Sequence, residues 1–181
     1  MAELRVTGGA LRGRRLRVPG RAPGLRPTSE RVREAIFSIL GDVQGACVLD
    51  LYCGSGALGI EALSRGAEEA TLVDRRPAVA RRNLEQLGLG ARAVVVGGDA
   101  IRFLRRAEPG TYDLVLCDPP YRLADRLAAD LDPFVRRALA AGGRVIVASA
   151  ARRPLELTLP LLRERRYGDT LVRLHGRGSG E

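Results

Sequence analysis

The segment that most constrains the fold is residues 46–59, Ala-Cys-Val-Leu-Asp-Leu-Tyr-Cys-Gly-Ser-Gly-Ala-Leu-Gly. Its first half is an apolar run that predicts a buried strand, and a helical pattern begins at Leu58. Gly54 and Gly56 predict a tight turn between the two, where a Cβ would block close approach of the backbone. A strand, a glycine turn and a helix N-terminus present backbone N–H groups to a ligand, so we expect a binding crevice here.

Three interpretations of this segment compete. Residues 54–59 fit G-x-G-x-x-G, the dinucleotide-binding pattern, although that match alone is weak. Asp50 lies four residues before the first glycine, where it can hold a cationic ligand or orient the glycine loop. A carboxylate so close to the loop does not favour a pyrophosphate, which is also negatively charged. Asp-x-x-x-Gly-x-Gly resembles the first motif of class I S-adenosylmethionine (SAM) methyltransferases. The third interpretation is a turn that only packs a helix on a strand.

Strands and helices alternate along the rest of the chain. A first helix begins at Thr28 or Ser29, either of which can cap it. The apolar patterns then predict strands at about 46–51, 69–73, 92–96, 112–117 and 144–149, separated by helices at 57–65, 77–87, 100–107 and 122–140. The alternating leucines of 155–159, followed by 170–174, predict a closing antiparallel hairpin. We therefore expect an α/β fold, a Rossmann-like, doubly wound and mostly parallel seven-stranded sheet with ligands at the carboxyl ends of its strands.

Residues 1–27 are predicted to form a basic hairpin and arm, followed by the main α/β domain over 28–181. Residues 1–33 hold nine arginines and two glutamates, and so carry +7 of the formal net charge of +9. Such a concentration of positive charge beside a ligand crevice favours nucleic-acid binding, and a solvated basic face is the alternative. The candidate RNA-binding residues are Arg5, Arg12, Arg14, Arg15, Arg17, Arg26, Arg31 and Arg33.

Composition narrows the remaining classes of protein. All thirty basic residues are arginine, which suits forked contacts to phosphate, although codon bias in a GC-rich genome is the simpler cause. Three cysteines without C-x-x-C spacing, together with one histidine, predict neither a disulfide framework nor a metal site. Because no signal peptide and no apolar run of ~18 residues is present, we expect a soluble, cytoplasmic protein without membrane contact. No long apolar stripe demands a dimer, so we expect a monomer.

Acidic residues recur where four successive strands are predicted to end, namely at Asp50, Asp74, Asp99 and Asp118. Asp74 follows the glycine turn at the distance expected of a carboxylate that binds ribose hydroxyls, a group that SAM and NAD share. Any single acid could instead be a turn residue or a helix cap. Four of them at one edge of a sheet favour a functional site.

The sequence Asp118-Pro119-Pro120-Tyr121 distinguishes between the cofactors. Two prolines in series hold the preceding residues extended, so that backbone carbonyls stay free to accept hydrogen bonds beside the Asp118 carboxylate. Such a cluster of acceptors suits an exocyclic amino group, and Tyr121 offers a stacking face worth ~1–3 kcal/mol to a base turned out of its helix. A strand-ending turn with a core tyrosine is the alternative.

Together these motifs resemble one family. Asp-Pro-Pro-Tyr is similar to the fourth motif of amino-directed nucleic-acid methyltransferases. With Arg-Pro-Thr-Ser-Glu-Arg-Val-Arg-Glu at 26–34 and the run from Leu49 to Gly66, it resembles the bacterial 16S ribosomal RNA (guanine-N2)-methyltransferase family known as RsmD. The resemblance spans about 5–174. It implies the class I SAM-dependent methyltransferase fold, SAM as the cofactor, and 16S rRNA in the assembled or partly assembled small ribosomal subunit as the partner.

The resemblance also implies the site residues. The catalytic residues would be Asp118, Pro119 and Pro120, which hold the target amine, and Tyr121, which stacks on the guanine. The cofactor-binding residues would be Asp50, Tyr52, Gly54, Ser55, Gly56, Asp74, Arg75, Asp99 and Ala100. Tyr52 and Cys53 stand where phenylalanine and alanine are frequent in relatives, a mild departure.

Four other functions stay open. Adenine-N6 methylation of DNA or RNA uses the same tetrapeptide chemistry. Cytosine-C5 methylation needs a nucleophilic cysteine, and Cys117 is predicted to lie in an apolar strand. An NAD-dependent oxidoreductase would leave the tetrapeptide without a role, and a non-enzymatic RNA-binding module would leave the crevice unexplained.

Overall fold

A computed structural model describes residues 3–18, 28–120 and 124–177 of the 181-residue chain. Within these ranges it contains a two-stranded hairpin and one seven-stranded sheet with helices on both faces. The hairpin pairs β1 (Glu3–Arg5) with β2 (Arg15–Arg17) in the antiparallel sense.

The seven-stranded sheet has the strand order β5-β4-β3-β6-β7-β9-β8. Its members are β3 (Cys47–Leu51), β4 (Glu69–Asp74), β5 (Ala93–Gly97), β6 (Tyr112–Cys117), β7 (Leu139–Ala150), β8 (Leu161–Tyr167) and β9 (Thr170–Gly176). The first five run parallel, and β9 lies antiparallel between β7 and β8. The predicted doubly wound and mostly parallel seven-stranded sheet is therefore confirmed.

Two hydrophobic cores lie on the two faces of the sheet. The helices α1 (Glu30–Leu40), α2 (Ala57–Ser64) and α3 (Ala78–Gln86) cover one face, and α4 (Ala100–Leu104) and α5 (Ala124–Ala138) cover the other. Central β3 is apolar except at Asp50, because both of its faces are buried. Val48 points into the first core, whereas Leu49 and Leu51 point into the second. Asp50, which lies between these two leucines, therefore points toward the face that α2 covers.

The closing hairpin lies further along the chain than the leucine pattern predicts. Its first strand is β8, so the prediction of a strand at 155–159 is wrong. Leu155 and Leu159 are buried in the second core, and their alternation reflects that burial and not strand pairing. β8 is an edge strand whose Leu161 and Leu162 are more than half exposed, so it carries no pattern of buried residues.

The N-terminal hairpin shares the first core with the larger sheet. Val6 and Leu16 are each 1% exposed there. Thr7 donates to the buried Glu61 of α2 through its backbone N–H, at 2.8 Å, and through its hydroxyl, at 2.7 Å. The side chain of Asn83 in α3 accepts from the Arg17 N–H and donates to the Arg17 carbonyl, both at 2.9 Å. Hydrogen bonds to two helices thus fix the hairpin against the sheet, while its division from the catalytic domain as an RNA-binding unit stays a prediction.

Replacing Glu61 with alanine tests this attachment. The substitution leaves the Thr7 N–H without its buried acceptor and Arg65 without its ion pair, which is 2.9 Å long. We expect Glu61→Ala to lower the free energy of unfolding by about 2–4 kcal/mol. Urea denaturation measures the change, and Glu85→Ala at an exposed position of α3 is the control, with an expected change within about 0.5 kcal/mol. Equal losses in the two variants would contradict the assignment.

Candidate active site

The register of three parallel strands builds the site. The last residue of β3, Leu51, pairs with Val73 of β4 on one side and with Cys117 of β6 on the other. The residues that follow these strands therefore meet at the carboxyl edge of the sheet. Asp74 and Asp118 both lie close enough to Asp50 for their charges to raise its pKa. The structure thus brings together the acids that end β3, β4 and β6, as the sequence spacing predicts.

The glycine loop between β3 and α2 has a backbone that requires glycine. Gly54 and Gly56 have φ values of 54° and 78°, and a Cβ on Gly56 would lie 2.8 Å from Leu72 Cδ2. Tyr52 adopts φ 60° without being glycine, which is the kind of strained backbone that clusters at ligand sites. The buried Ser55 accepts a hydrogen bond on its carbonyl from Asn83 Nδ2 at 2.8 Å. Asn83 thus connects the loop to the hairpin.

Asp50 is buried and lies beneath the loop. Its Oδ2 accepts from the Gly59 N–H at 2.8 Å, whereas its buried Oδ1 accepts no hydrogen bond from the described residues. Burial raises the pKa of Asp50 to about 8, and the negative charges of Asp118 and Asp74 add to the shift. A buried acceptor without a donor fits a ligand that brings a positive charge or an N–H group.

Asp74 holds the loop from the neighbouring strand. Its Oδ2 accepts from the Gly54 N–H at 2.9 Å, and its Oδ1 accepts from the Arg76 N–H at 2.8 Å. Each carboxylate oxygen has a second lone pair, so both can still accept from a ligand hydroxyl. Asp74 therefore fixes the glycine loop and stays competent to bind a diol.

Asp99 and Arg75 form an ion pair near the ends of β4 and β5. The Arg75 guanidinium donates to Asp99 Oδ2 at 2.6 Å, and Asp99 Oδ1 caps α4 by accepting from the Arg102 N–H at 3.0 Å. The hydrogen bond from Arg75, together with the one from the Arg102 N–H, holds the pKa of Asp99 below its ordinary value. Ala100, the first residue of α4, is buried. Asp99 is therefore a helix cap, which was one of the two interpretations of the sequence. Its contact with the base of a ligand stays a prediction.

The tetrapeptide begins directly after β6. Asp118 is partly buried, Pro119 is buried and Pro120 is half-buried. Burial raises the pKa of Asp118 to about 6, and a hydrogen bond that Asp118 Oδ2 accepts from the Thr28 hydroxyl opposes this rise. Tyr121 lies outside the described residues. The carboxylate is thus ionised at neutral pH in a poorly hydrated position, which makes it a strong acceptor.

Sequence reasoning missed the role of Thr28. From the sequence, Thr28 and Ser29 are equal candidates for the cap of α1. In the structure Ser29 is the cap, since its side chain accepts from the Val32 N–H, whereas the Thr28 hydroxyl donates to Asp118. The hydroxyl side chain and its position in the Arg-Pro-Thr-Ser segment were the only signals. They could not reveal a contact 90 residues further along the chain.

The predicted RNA contact of Arg33 needs correction. Its side chain is completely buried and donates to the Thr28 carbonyl at 2.9 Å and to the Arg5 carbonyl at 2.5 Å. Burial lowers the pKa of Arg33, and the charges of nearby glutamates oppose the shift. Arg33 shares the inward face of α1 with Phe37 and Leu40, which the sequence pattern obscures because it counts arginine as a surface residue.

The other candidate RNA-binding arginines lie elsewhere. Those at the surface of the hairpin and of α1 are exposed, namely Arg5, Arg12, Arg14, Arg15, Arg17 and Arg31. Arg26 lies outside the described residues.

In the part of the chain that the structure describes, no group of three or more histidine, cysteine, aspartate or glutamate side chains could hold a metal ion. Across the same ranges, no helix has the length and apolar character needed to cross a membrane.

The strand order, with one reversed strand next to an edge and a glycine loop after β3, defines the fold of class I SAM-dependent methyltransferases. The family model described as "Conserved hypothetical protein 95" matches residues 4–176, which is nearly the whole chain. The chain belongs to this family, the RsmD family that its motifs resemble.

Individual relatives support the same assignment. "Ribosomal RNA small subunit methyltransferase D" of Escherichia coli (strain K12) is 48% identical over 125 residues, which are 66% of this chain and 61% of that protein. The protein of the same name from Haemophilus influenzae is 38% identical over 126 residues, 66% of this chain and 64% of that protein. The matched region thus spans less than two thirds of these relatives. The solved yhhF structure of Escherichia coli superposes with a TM-score of 0.82 and 36% identity, covering 98% of this chain and 99% of that chain.

The pKa of Asp50 makes stability depend on pH. A carboxyl group whose pKa folding raises to about 8 keeps its proton in the folded state but loses it in the unfolded state near pH 4. The free energy of unfolding therefore falls as pH rises through this window, by at most ~1.4 kcal/mol per pH unit. Asp50→Asn removes the effect while its amide oxygen can still accept from Gly59. Urea denaturation between pH 6.5 and 8 should show a steeper decline for the unsubstituted protein, and parallel declines would contradict the assignment.

Proposed function

We propose that this chain is a SAM-dependent methyltransferase that transfers a methyl group to the exocyclic N2 amine of a guanine in the 16S rRNA of the small ribosomal subunit. The observation that carries the proposal is the position of Asp118 at the end of β6, next to the strand whose end carries the glycine loop. An amine acceptor and a cofactor loop on adjacent parallel strands are what direct transfer between two bound reactants requires.

The residues around the loop fit SAM. The unsatisfied Oδ1 of Asp50 and the positive-φ glycine backbone at Gly54 and Gly56 suit the methionine end, which carries an ammonium group. Asp74 would hold the ribose hydroxyls, and Asp99 with Ala100 would lie against the adenine. Tyr52, Ser55 and Arg75 complete the proposed cofactor site. The bound cofactor would supply an electrophilic methyl group on sulfur.

The residues after β6 would hold the amine. Asp118 accepts one N–H of the exocyclic group, and the Pro119 carbonyl is a candidate acceptor for the other. With both hydrogens held, the nitrogen is fixed in place and keeps more electron density toward the methyl carbon. After transfer, Asp118 or water takes the proton that the nitrogen loses. Pro120 and Tyr121 would shape the pocket for the base, with Tyr121 stacking on it.

Two observations bear on the rival functions. Burial raises the pKa of the Cys117 thiol well above its ordinary value, which disfavours the thiolate that cytosine-C5 methylation needs. In an NAD-dependent oxidoreductase the hydrogen-bonded Thr28 and Asp118 would have no function. Calorimetric titration with SAM and with NAD distinguishes an oxidoreductase from a methyltransferase. Adenine-N6 methylation uses the same acceptor chemistry, and the methylated nucleoside decides between the two bases.

The basic hairpin would contact the RNA. Its exposed arginines can pair with phosphates as the target base enters the site. The exposed Arg31 of α1 is a further candidate, and so is Arg26, which lies outside the described residues. Such contacts make binding to small-subunit particles depend strongly on salt.

Because its proposed substrate is a ribosomal particle, we place the protein in the cytoplasm. A monomer suffices for the proposed chemistry.

Replacing Asp118 with alanine tests the proposal. Without the acceptor, transfer of labelled methyl groups from SAM to small-subunit particles should fall by at least about 100-fold. Binding of SAM should persist because Asp118 is not assigned to the cofactor, and binding of RNA should persist because the arginine–phosphate contacts supply most of its affinity. The control is Asp113→Ala at the other end of β6, where the carboxylate accepts a backbone N–H from β3 at 2.9 Å. It should leave transfer within about threefold.

Analysis of the methylated nucleosides decides the substrate. N2-methylguanosine supports the proposal, whereas N6-methyladenosine would show that the target base is adenine. Full activity of Asp118→Ala would contradict the assigned role of the carboxylate. Loss of RNA binding together with activity would also contradict it.

A further inference from the structure

The segment before α1 makes a contact with the tetrapeptide that the proposed chemistry does not yet use. The Thr28 hydroxyl donates to Asp118 Oδ2, although the two residues belong to distant parts of the sequence. A hydroxyl has a single proton to donate, so this hydrogen bond occupies one lone pair of Oδ2. The other carboxylate oxygen keeps both of its lone pairs for a substrate amine.

We propose that Thr28 is a positioning residue for Asp118, and that the buried guanidinium of Arg33 holds Thr28 in the required place. This inference rests on the proposed function, because it assumes that Asp118 accepts a hydrogen bond from the amine of the target base.

The backbone of Thr28 is fixed as firmly as its side chain. The Arg33 Nη1 group donates to the Thr28 carbonyl at 2.9 Å, and the Nη2 group donates to the Arg5 carbonyl at 2.5 Å. The Arg5 N–H in turn donates to Glu30 Oε1 at 2.7 Å. One completely buried guanidinium therefore connects the start of α1 to the hairpin. A buried arginine with two carbonyl acceptors is costly to rearrange, so it can define where Thr28 lies.

The hydrogen bond has a second effect, on the charge of Asp118. Burial disfavours the ionised carboxylate, and the Thr28 hydroxyl stabilises it. Among the described residues, the groups that face Asp118 add no counter-charge, since Asp50 on β3 is acidic and the Cys117 thiol on β6 is neutral. Asp74, on β4, is acidic as well. Removing the hydroxyl should therefore leave Asp118 protonated at a higher pH, where it can no longer accept two hydrogen bonds as a carboxylate.

The test compares variants of Thr28 through the pH dependence of kcat/KM for methyl transfer to small-subunit particles. The acidic limb of the profile should follow the ionisation of Asp118, near pH 6 in the unsubstituted protein. Thr28→Val keeps the shape of the side chain and removes the donor. It should move the midpoint of this limb upward by about one pH unit, and so lower kcat/KM at pH 7 by about twofold as the ionised fraction of Asp118 falls. Thr28→Ser restores a donor and should return the midpoint toward its original position.

A matched control exists on another part of the surface. The Thr158 hydroxyl donates to Asp132 Oδ2 at 2.5 Å, and this pair has no place in the proposed site. Thr158→Val therefore removes a threonine–aspartate hydrogen bond of the same kind, and it should leave the midpoint unchanged. A double variant supplies a further check, because Thr28→Val should have little additional effect in a chain that already carries Asp118→Asn.

A second measurement does not depend on activity. NMR titration of carboxyl-labelled aspartates reports the ionisation of Asp118 directly, and Thr28→Ala replaces Thr28→Val if the valine variant does not fold. An unchanged midpoint in the folded donor-free variant, by kinetics or by NMR, would overturn the inference. So would an equal loss of activity in Thr28→Ser. If the unsubstituted protein transfers no methyl group to the particles, the proposed function fails, and the NMR titration still decides whether Thr28 controls Asp118.

Discussion

Three carboxylates meet at one edge of the sheet because β3 pairs in parallel with both β4 and β6. Like charges this close are tolerated only when donors compensate them or when one of the groups keeps its proton. Asp74 accepts the Gly54 N–H of the glycine loop and the Arg76 N–H, and Asp118 accepts from the Thr28 hydroxyl. Asp50 receives one N–H group and has its pKa raised. In the proposed function, the unpartnered Oδ1 of Asp50 is the feature that would suit this edge to a cationic ligand.

The buried polar contacts around this edge extend to the hairpin. Asn83 contacts both Arg17 and the Ser55 carbonyl in the glycine loop, while Arg33 contacts both Arg5 and Thr28. The hairpin is therefore joined to the proposed cofactor loop through α3 and to the proposed amine acceptor through α1. Rigid support of this kind keeps a functional site in its working geometry without help from a ligand.

The parts of the fold that follow strong patterns could be predicted from the sequence. The β3–loop–α2 unit is predictable because its glycines and its mostly apolar strand leave few alternatives. The acids at the strand ends are predictable for the same reason. The burial of Arg33 was not, because its partners are backbone carbonyls that no residue type announces. β8 was missed because an exposed edge strand has no buried face to impose a period of two. The role of Thr28 depends on tertiary contact alone.

The most direct measurement of the central claim is a crystal structure of this chain with SAM bound. The account places the sulfonium methyl group and the target amine over the adjacent ends of β3 and β6. Reacting atoms must approach to about 3–3.5 Å, and a hydrogen bond to the amine adds about 3 Å more. The account therefore predicts a methyl carbon within about 6 Å of an Asp118 carboxylate oxygen. A methyl group more than about 10 Å from that carboxylate, or one directed away from it, would contradict the account.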